Sequence, residues 1–290
     1  MNKKNFLATF IALLVSFSAS AQLLWKISGN GLTKPSYLFG THHLIEREQI
    51  KNFDKILGFC GQVEAVVGEM DMTDMSTIQM KMMQGGMMQG VTLKTLVSPE
   101  EYALVDKTFQ QLMGVGMDQM GSMKPMLLNT LYESLIYMKT NGVAKQPEAV
   151  DIVFQKNAKD NNKKVIGLET IDQEMDVLLN SLPLKRQAEI LIKDIKETQK
   201  GIECMKKLNA AYLAGDMVKA AAIDNEDDSM TPEEKKPLIV NRNANWLKQL
   251  PLLMSAQSCF VAVGFLHLIG DNGLVYQLKK AGYTVEPVSL

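Results

Sequence analysis

Apolar and polar positions alternate with the two-residue period of half-buried strands near both ends of the chain, and with the 3.6-residue period of helices through its middle. Leu23–Ser28 and Ser36–Gly40 read as two short strands, and the turn-rich Gly29-Asn30-Gly31-Leu32-Thr33-Lys34-Pro35 between them makes the pair a β-hairpin. A charged helical stretch near Glu46–Phe59 follows, then an apolar strand at Val63–Gly68. From Asp71 to about Ala158 the periods are helical, with few strand signals; Lys163–Gly167 is a further strand. Ile171–Leu250 is again helical, and its charged windows, Lys193–Lys200 and Asp224–Lys236, read as solvated faces. The chain closes with strand Cys259–Gly264, a helix from Asp271 to Ala281 ended by Gly282, and strand Tyr283–Val288. This order predicts an α/β fold: a central sheet built from N- and C-terminal strands, with a large helical insertion over about residues 71–160.

Ahead of the first strand lies a segment of another kind. Met1-Asn2-Lys3-Lys4 is a basic start, Phe6–Phe17 an apolar run, and Ser18-Ala19-Ser20-Ala21 a small-residue site before Gln22. That is the pattern of a secretory signal peptide cleaved after Ala21. It leaves residues 22–290 as a single exported domain, in the periplasm or beyond. The apolar run is too short to cross a bilayer, and no later stretch is long enough, so no membrane span is expected after cleavage.

The chain has 290 residues, 46% of them hydrophobic and 22% charged, which excludes disordered and fibrous classes. Lys+Arg 31 against Asp+Glu 32 gives a net charge of −1, and losing Lys3 and Lys4 with the signal makes it −3. Nothing in that balance attracts a phosphate backbone, so nucleic acid is not an expected partner. Cys60, Cys204 and Cys259 show no C-x-x-C spacing, which removes zinc ribbons and thioredoxin-like motifs. In an oxidising compartment one structural disulfide plus one buried thiol is the plain expectation, with the pairing open. Thirteen of the 20 methionines fall between Met70 and Met126. They are read as core residues standing in for Leu, as a groove or lid for an extended substrate, or as thioether ligands of Cu(I).

Chemistry concentrates at the strand ends. All three histidines sit in Phe39-Gly40-Thr41-His42-His43-Leu44-Ile45 and Val263-Gly264-Phe265-Leu266-His267-Leu268-Ile269, both of which contain G-x-x-H-L-I after a short apolar strand. A matched pair places His43 and His267 just past strand C-termini, where open α/β sheets bind ligands, and is what a duplicated half-domain would leave. Two other strand ends carry Glu69 and Glu169. Two imidazoles with one or two carboxylates form the donor set of a divalent metal such as Zn, Mn or Co. The expected set is His43, His267 and Glu69, with Glu169 as fourth ligand or as the base that takes a proton from metal-bound water. Either Glu is also a plain helix-capping residue that offsets the dipole of the helix after it.

Leu24-Trp25-Lys26-Ile27, Ser36-Tyr37-Leu38-Phe39-Gly40-Thr41-x-His43, Phe260-Val261-Ala262-Val263-Gly264-x-Leu266-His267-Leu268-x-Gly270-x-x-Gly273-Leu274 and Ala281–Val288 resemble the TraB/GumN family, a relative of the Tiki proteases. The likeness extends over the mature chain through Glu69, Lys124-Pro125, Asp151, Gly167-Leu168-Glu169-Thr170, Arg242-Asn243 and Trp246. It implies a fold akin to the erythromycin-esterase-like and haem-binding ChaN-like proteins. It further implies a metal-dependent hydrolase centre built from the two G-x-x-H motifs and the acidic residues. In Tiki-like members the activity is peptide cleavage near an N-terminus, with Mn or Co as the activating metal. The resemblance gives Arg242 the role of holding an oxyanion or a substrate carboxylate, and leaves Asp151 and Lys124 structural. The ChaN-like relatives imply the competing reading, a non-catalytic haem- or metal-binding protein. His42 departs from the family pattern, which usually has an aliphatic residue there; it is an alternative ligand or points away.

Overall fold

A computed structural model describes residues 23–145 and 147–290, and the expected signal peptide, residues 1–21, lies outside them. Strands β1 (Leu24–Ser28) and β2 (Ser36–Thr41) form the expected antiparallel hairpin. Its turn needs Gly29, Asn30 and Gly31 because all three have positive φ, of 75°, 47° and 82°. β3 (Ala65–Met70), β4 (Lys164–Glu169), β5 (Cys259–Gly264) and β6 (Thr284–Pro287) complete one six-stranded sheet in the order β4-β3-β5-β2-β1-β6. β4, β3, β5 and β2 run parallel, and β1 lies antiparallel between β2 and β6. The architecture is thus mixed α/β, with strands from both chain ends at its centre.

Period-two patterning makes two cores. Tyr37, Phe39, Val66, Phe260 and Ala262 face one side, where they pack with Phe53, Ile56, Val150 and Phe154 of the helices Phe53–Gln62 and Val150–Asp160. Leu38, Val67, Val261 and Val263 face the other, under Trp246 and Leu250 of the helix Val240–Ala256 and Leu274 and Leu278 of the helix Leu274–Lys280. A third cluster, with Phe109, Leu128, Tyr132 and Leu191, joins helices on their own. The helical region expected at 71–160 does separate β3 from β4, and a second one of similar size, residues 171–256, separates β4 from β5.

Three expectations change. The helix near Glu46–Phe59 is a 3-10 turn, Arg47–Gln49, followed by the helix Phe53–Gln62. Asn52, with φ of 57°, is left-handed and interrupts the helical path. No disulfide forms: all three thiols are free. Cys60 lies in the core on one side of the sheet and Cys259 in the core on the other, so the sheet itself separates the two buried thiols. The methionines divide: Met88, Met117 and Met120 are buried, whereas Met75, Met80, Met82 and Met83 of the helix Met75–Gly85 are exposed, as is Met87. Among the described residues no helix is long and apolar enough to cross a membrane.

Candidate functional site

The four parallel strands deliver four of the expected side chains to one sheet edge. Glu169 ends β4, Glu69 is the penultimate residue of β3, His267 sits in the 3-10 turn Phe265–Leu268 after β5, and His43 follows β2 by two residues. Register aligns the strand ends, with Glu169 opposite Met70 and Gly264 opposite Thr41. The glycines of the two G-x-x-H segments have a steric reason. A Cβ on Gly264 would stand 3.3 Å from Glu69 Oε1 and 3.5 Å from His267 Cδ2, and one on Gly40 would stand 2.6 Å from the Phe265 ring. Only a bare backbone lets the turn after β5 fold back against β2.

Arg242 organises the carboxylates. It projects from the first turn of the helix Val240–Ala256 and is 5% exposed. Its Nε donates to both oxygens of Glu169, at 3.2 and 2.9 Å, and its Nη2 donates to Glu69 Oε2 at 2.8 Å. One turn along, Trp246 Nε1 donates to Glu169 Oε1 at 2.9 Å, and the guanidinium lies 5.0 Å from the Trp246 ring centre. Glu69 Oε1 accepts the Gly264 N–H at 2.7 Å. Burial opposes ionisation of Glu69, but His267, Arg242, His43 and the Gly264 N–H together hold its carboxyl below the ordinary range.

Hydrogen bonds also fix how the histidines face. Asn243 Nδ2 donates to the carbonyls of His267 (3.0 Å) and Asn272 (2.9 Å), so its Oδ1 must accept, and it lies 2.7 Å from His267 Nδ1. His267 therefore carries its proton on Nδ1, and its Nε2 presents a lone pair 3.8 Å from Glu69 Oε1. Burial, aided by Arg242 and His43 against Glu69, lowers its pKa to about 4, which keeps the ring neutral. His43 Nδ1 stands 3.1 Å from Asp151 Oδ2, which leaves Nε2 outward. Asp151, buried in the first turn of the helix Val150–Asp160, is the main cause of a His43 pKa raised to about 9. With 62% of the His43 side chain exposed, solvent screens part of that pull. His42 takes neither role: its Nδ1 accepts the Leu44 N–H at 3.2 Å and its ring lies 5.2 Å from that of Tyr212.

Sequence reading missed Glu174 entirely. It lies in the first turn of the helix Ile171–Asn180, with its Oε2 3.6 Å from Arg242 Nη2, buried and without a hydrogen-bond partner. Burial first, then Glu69, raises its pKa to about 7. Asp151 and Asn243, part of the family resemblance but without a chemical role there, orient the two imidazoles. Lys124 stays apart from this edge, hydrogen-bonded to Asn180.

The donor types fit a divalent cation: two imidazole Nε2 atoms aimed outward from their anchors, with an excess of carboxylate over Arg242. Glu69 Oε1 and His267 Nε2 are close to the roughly 3.4 Å that separates two tetrahedral ligands at about 2.1 Å from zinc. Among the described residues, however, no three His, Cys, Asp or Glu side chains are already drawn together as a set able to hold a metal. A family model described as the TraB/PrgY/gumN family matches residues 23–287. No curated protein and no solved structure matches the chain.

Proposed function

We propose that this chain, which belongs to the TraB/PrgY/gumN family, is an exported metal-dependent hydrolase that cleaves peptide bonds. The observation that carries the reading is the pair of imidazoles on neighbouring parallel strands, each with Nδ1 engaged by a fixed partner and Nε2 left open. Carboxylate- or amide-backed histidines of this kind are how metal sites hold their ligands in one tautomer and one orientation. A bound Mn, Co or Zn ion supplies a water of lowered pKa and polarises a carbonyl.

The chain's own residues then have separable tasks. His267, His43 and Glu69 hold the ion. Asn243 and Asp151 aim the two rings, and the Gly264 N–H with Arg242 pins Glu69. Glu169, expected as fourth ligand or base, has both oxygens on Arg242 and one also on Trp246, so it positions the guanidinium instead. Arg242, expected to hold an oxyanion, spends its Nε and Nη2 on carboxylates and serves chiefly to keep Glu69 ionised and in place. Peptide is preferred over ester because of the Tiki resemblance; no residue dictates it. The exposed methionines of the helix Met75–Gly85, which follows directly from β3, offer an adaptable apolar surface for side chains of an extended substrate. Export rests on residues 1–21.

The test is incubation of the mature protein with a mixed peptide library, with and without chelator and with Mn, Co or Zn added, read by mass spectrometry beside a Glu69→Gln/His267→Ala variant. Metal-dependent cleavage that the variant lacks is the expected result. Cleavage indifferent to metal, or undiminished in the variant, overturns the reading. A Soret band on haem titration without any cleavage would put the haem-binding alternative in its place.

A further inference from the structure

Three carboxylates surround one guanidinium at the sheet edge, and two of them have a hydrogen bond on each oxygen. Glu169 has its oxygens on Arg242 Nε and Trp246 Nε1, and Glu69 has one on Arg242 Nη2 and one on the Gly264 N–H. Glu174 is left over. Its Oε2 is ion-paired with Arg242 Nη2 at 3.6 Å, beyond hydrogen-bond reach, and is buried with no hydrogen-bond partner. A buried polar atom left unsatisfied in a native fold calls for a use.

Helix capping is not that use. Thr170 Oγ1 accepts the Gln173 N–H at 3.3 Å and Gln173 Oε1 accepts the Thr170 N–H at 2.9 Å, so the box at the start of the helix Ile171–Asn180 is closed by Gln173 and leaves Glu174 free. Lys81, a second cation at the start of that helix, is committed to Asp172 at 2.6 Å. Glu174 Oε2 instead stands at the same Arg242 Nη2 that holds Glu69 Oε2, at 3.6 Å against 2.8 Å, which puts its carboxyl beside that of Glu69.

We infer that Glu174 is a protein ligand of the divalent cation held by His43, His267 and Glu69. The inference rests on the metal-dependent reading above and adds to it a side chain from a helix rather than from a strand end.

The experiment uses chelator-stripped mature protein and Mn(II) alone as probe. Free Mn is followed by electron paramagnetic resonance in the wild type, Glu174→Gln, Glu174→Ala and His267→Ala, each checked for its fold by circular dichroism. The expected result is affinity at least tenfold weaker in both Glu174 variants, and a Co(II) visible spectrum displaced in Glu174→Gln relative to wild type. Wild-type affinity in both Glu174 variants, with loss only in His267→Ala, overturns the inference and leaves the metal reading intact. Retained Mn affinity with reduced turnover overturns it equally, and would make Glu174 a proton-transfer group. A wild type that takes up none of Mn, Co or Zn overturns both.

Discussion

Replacing Arg242 by Met keeps much of the side chain's volume and removes the one cation on which Glu69 and Glu169 are paired at 2.8 and 2.9 Å. Those carboxylates expose only 11% and 8% of their side chains, so water cannot take over the lost interaction. Breaking a buried ion pair by removing one partner costs about 3–5 kcal/mol, which for a domain of this size lowers the melting temperature by on the order of 10 °C. Glu69 has a depressed carboxyl in the folded wild type, so its stabilisation is present above the unfolded value and fades as pH falls through the folded one. In Arg242→Met the same carboxyl lies unpaired and prefers its proton, so acid relieves the penalty. The deficit should therefore be largest near pH 7.5 and shrink towards pH 4.5. Calorimetry and urea unfolding at both pH values, in the presence of chelator, measure it. The triple variant Arg242→Met/Glu69→Gln/Glu169→Gln should recover most of the loss. A melting temperature for Arg242→Met within 2 °C of wild type at pH 7.5, or an equal deficit at both pH values, would refute the assignment of Arg242 as the charge that holds this edge together.

Asn243→Ala removes no ligand yet should weaken Mn(II) binding about 10–100-fold by freeing the His267 ring; unchanged affinity by titration calorimetry would count against the fixed tautomer. Away from this edge, Asn129 Nδ2 bridges Glu133 and Asp194 at 3.0 Å each; crowding by protein atoms with Asp194 and Asp227 raises the Glu133 carboxyl to about 7 from 4.5, a shift that solvent at this exposed residue screens in part. The folded state thus binds that proton more tightly than the unfolded chain, and stability is lost as pH rises from 4.5 to about 7. Glu133→Gln should melt above wild type at pH 8 and equal it near pH 4.5; a variant less stable at pH 8 contradicts this. Cys60 and Cys259, with thiols pushed up by burial to about 12 and about 11, should resist Ellman's reagent in the native state. All three thiols should titrate after unfolding without reductant, and fewer than three would mean a disulfide.

The sheet was legible because strand signals are short-range: alternation in Phe260–Val263 and the Gly29–Gly31 turn need no distant partner to be read. The repeated G-x-x-H context revealed His43 and His267 for the same reason, since each lies within three residues of the glycine that marks its strand's end. Glu174 stayed hidden because an acidic residue in a first helical turn ordinarily serves the helix dipole. Its ion-pair partner, Arg242, comes from a helix far along the chain. The choice of Asn243 and Asp151 as ring partners depends likewise on contacts 24 and 108 residues away. Cys60 and Cys259 failed as a disulfide pair for a topological reason: they lie in the cores on opposite faces of the sheet, while Cys204 packs against the Cys60 core and is free, and spacing alone does not say which helix covers which face.

The parallel pairing of β2 with β5 also sets a timetable. The Cys259 N–H bonds the Ser36 hydroxyl across 223 residues, so the first histidine strand waits without its parallel neighbour until the long stretch between them exists. Loop closure over such a span is slow to nucleate. The helical segments can gather early, but the edge that carries both imidazoles closes among the last events. In a chain assembled in this order, the two imidazole-bearing strands meet only after the helices between them have had time to fold.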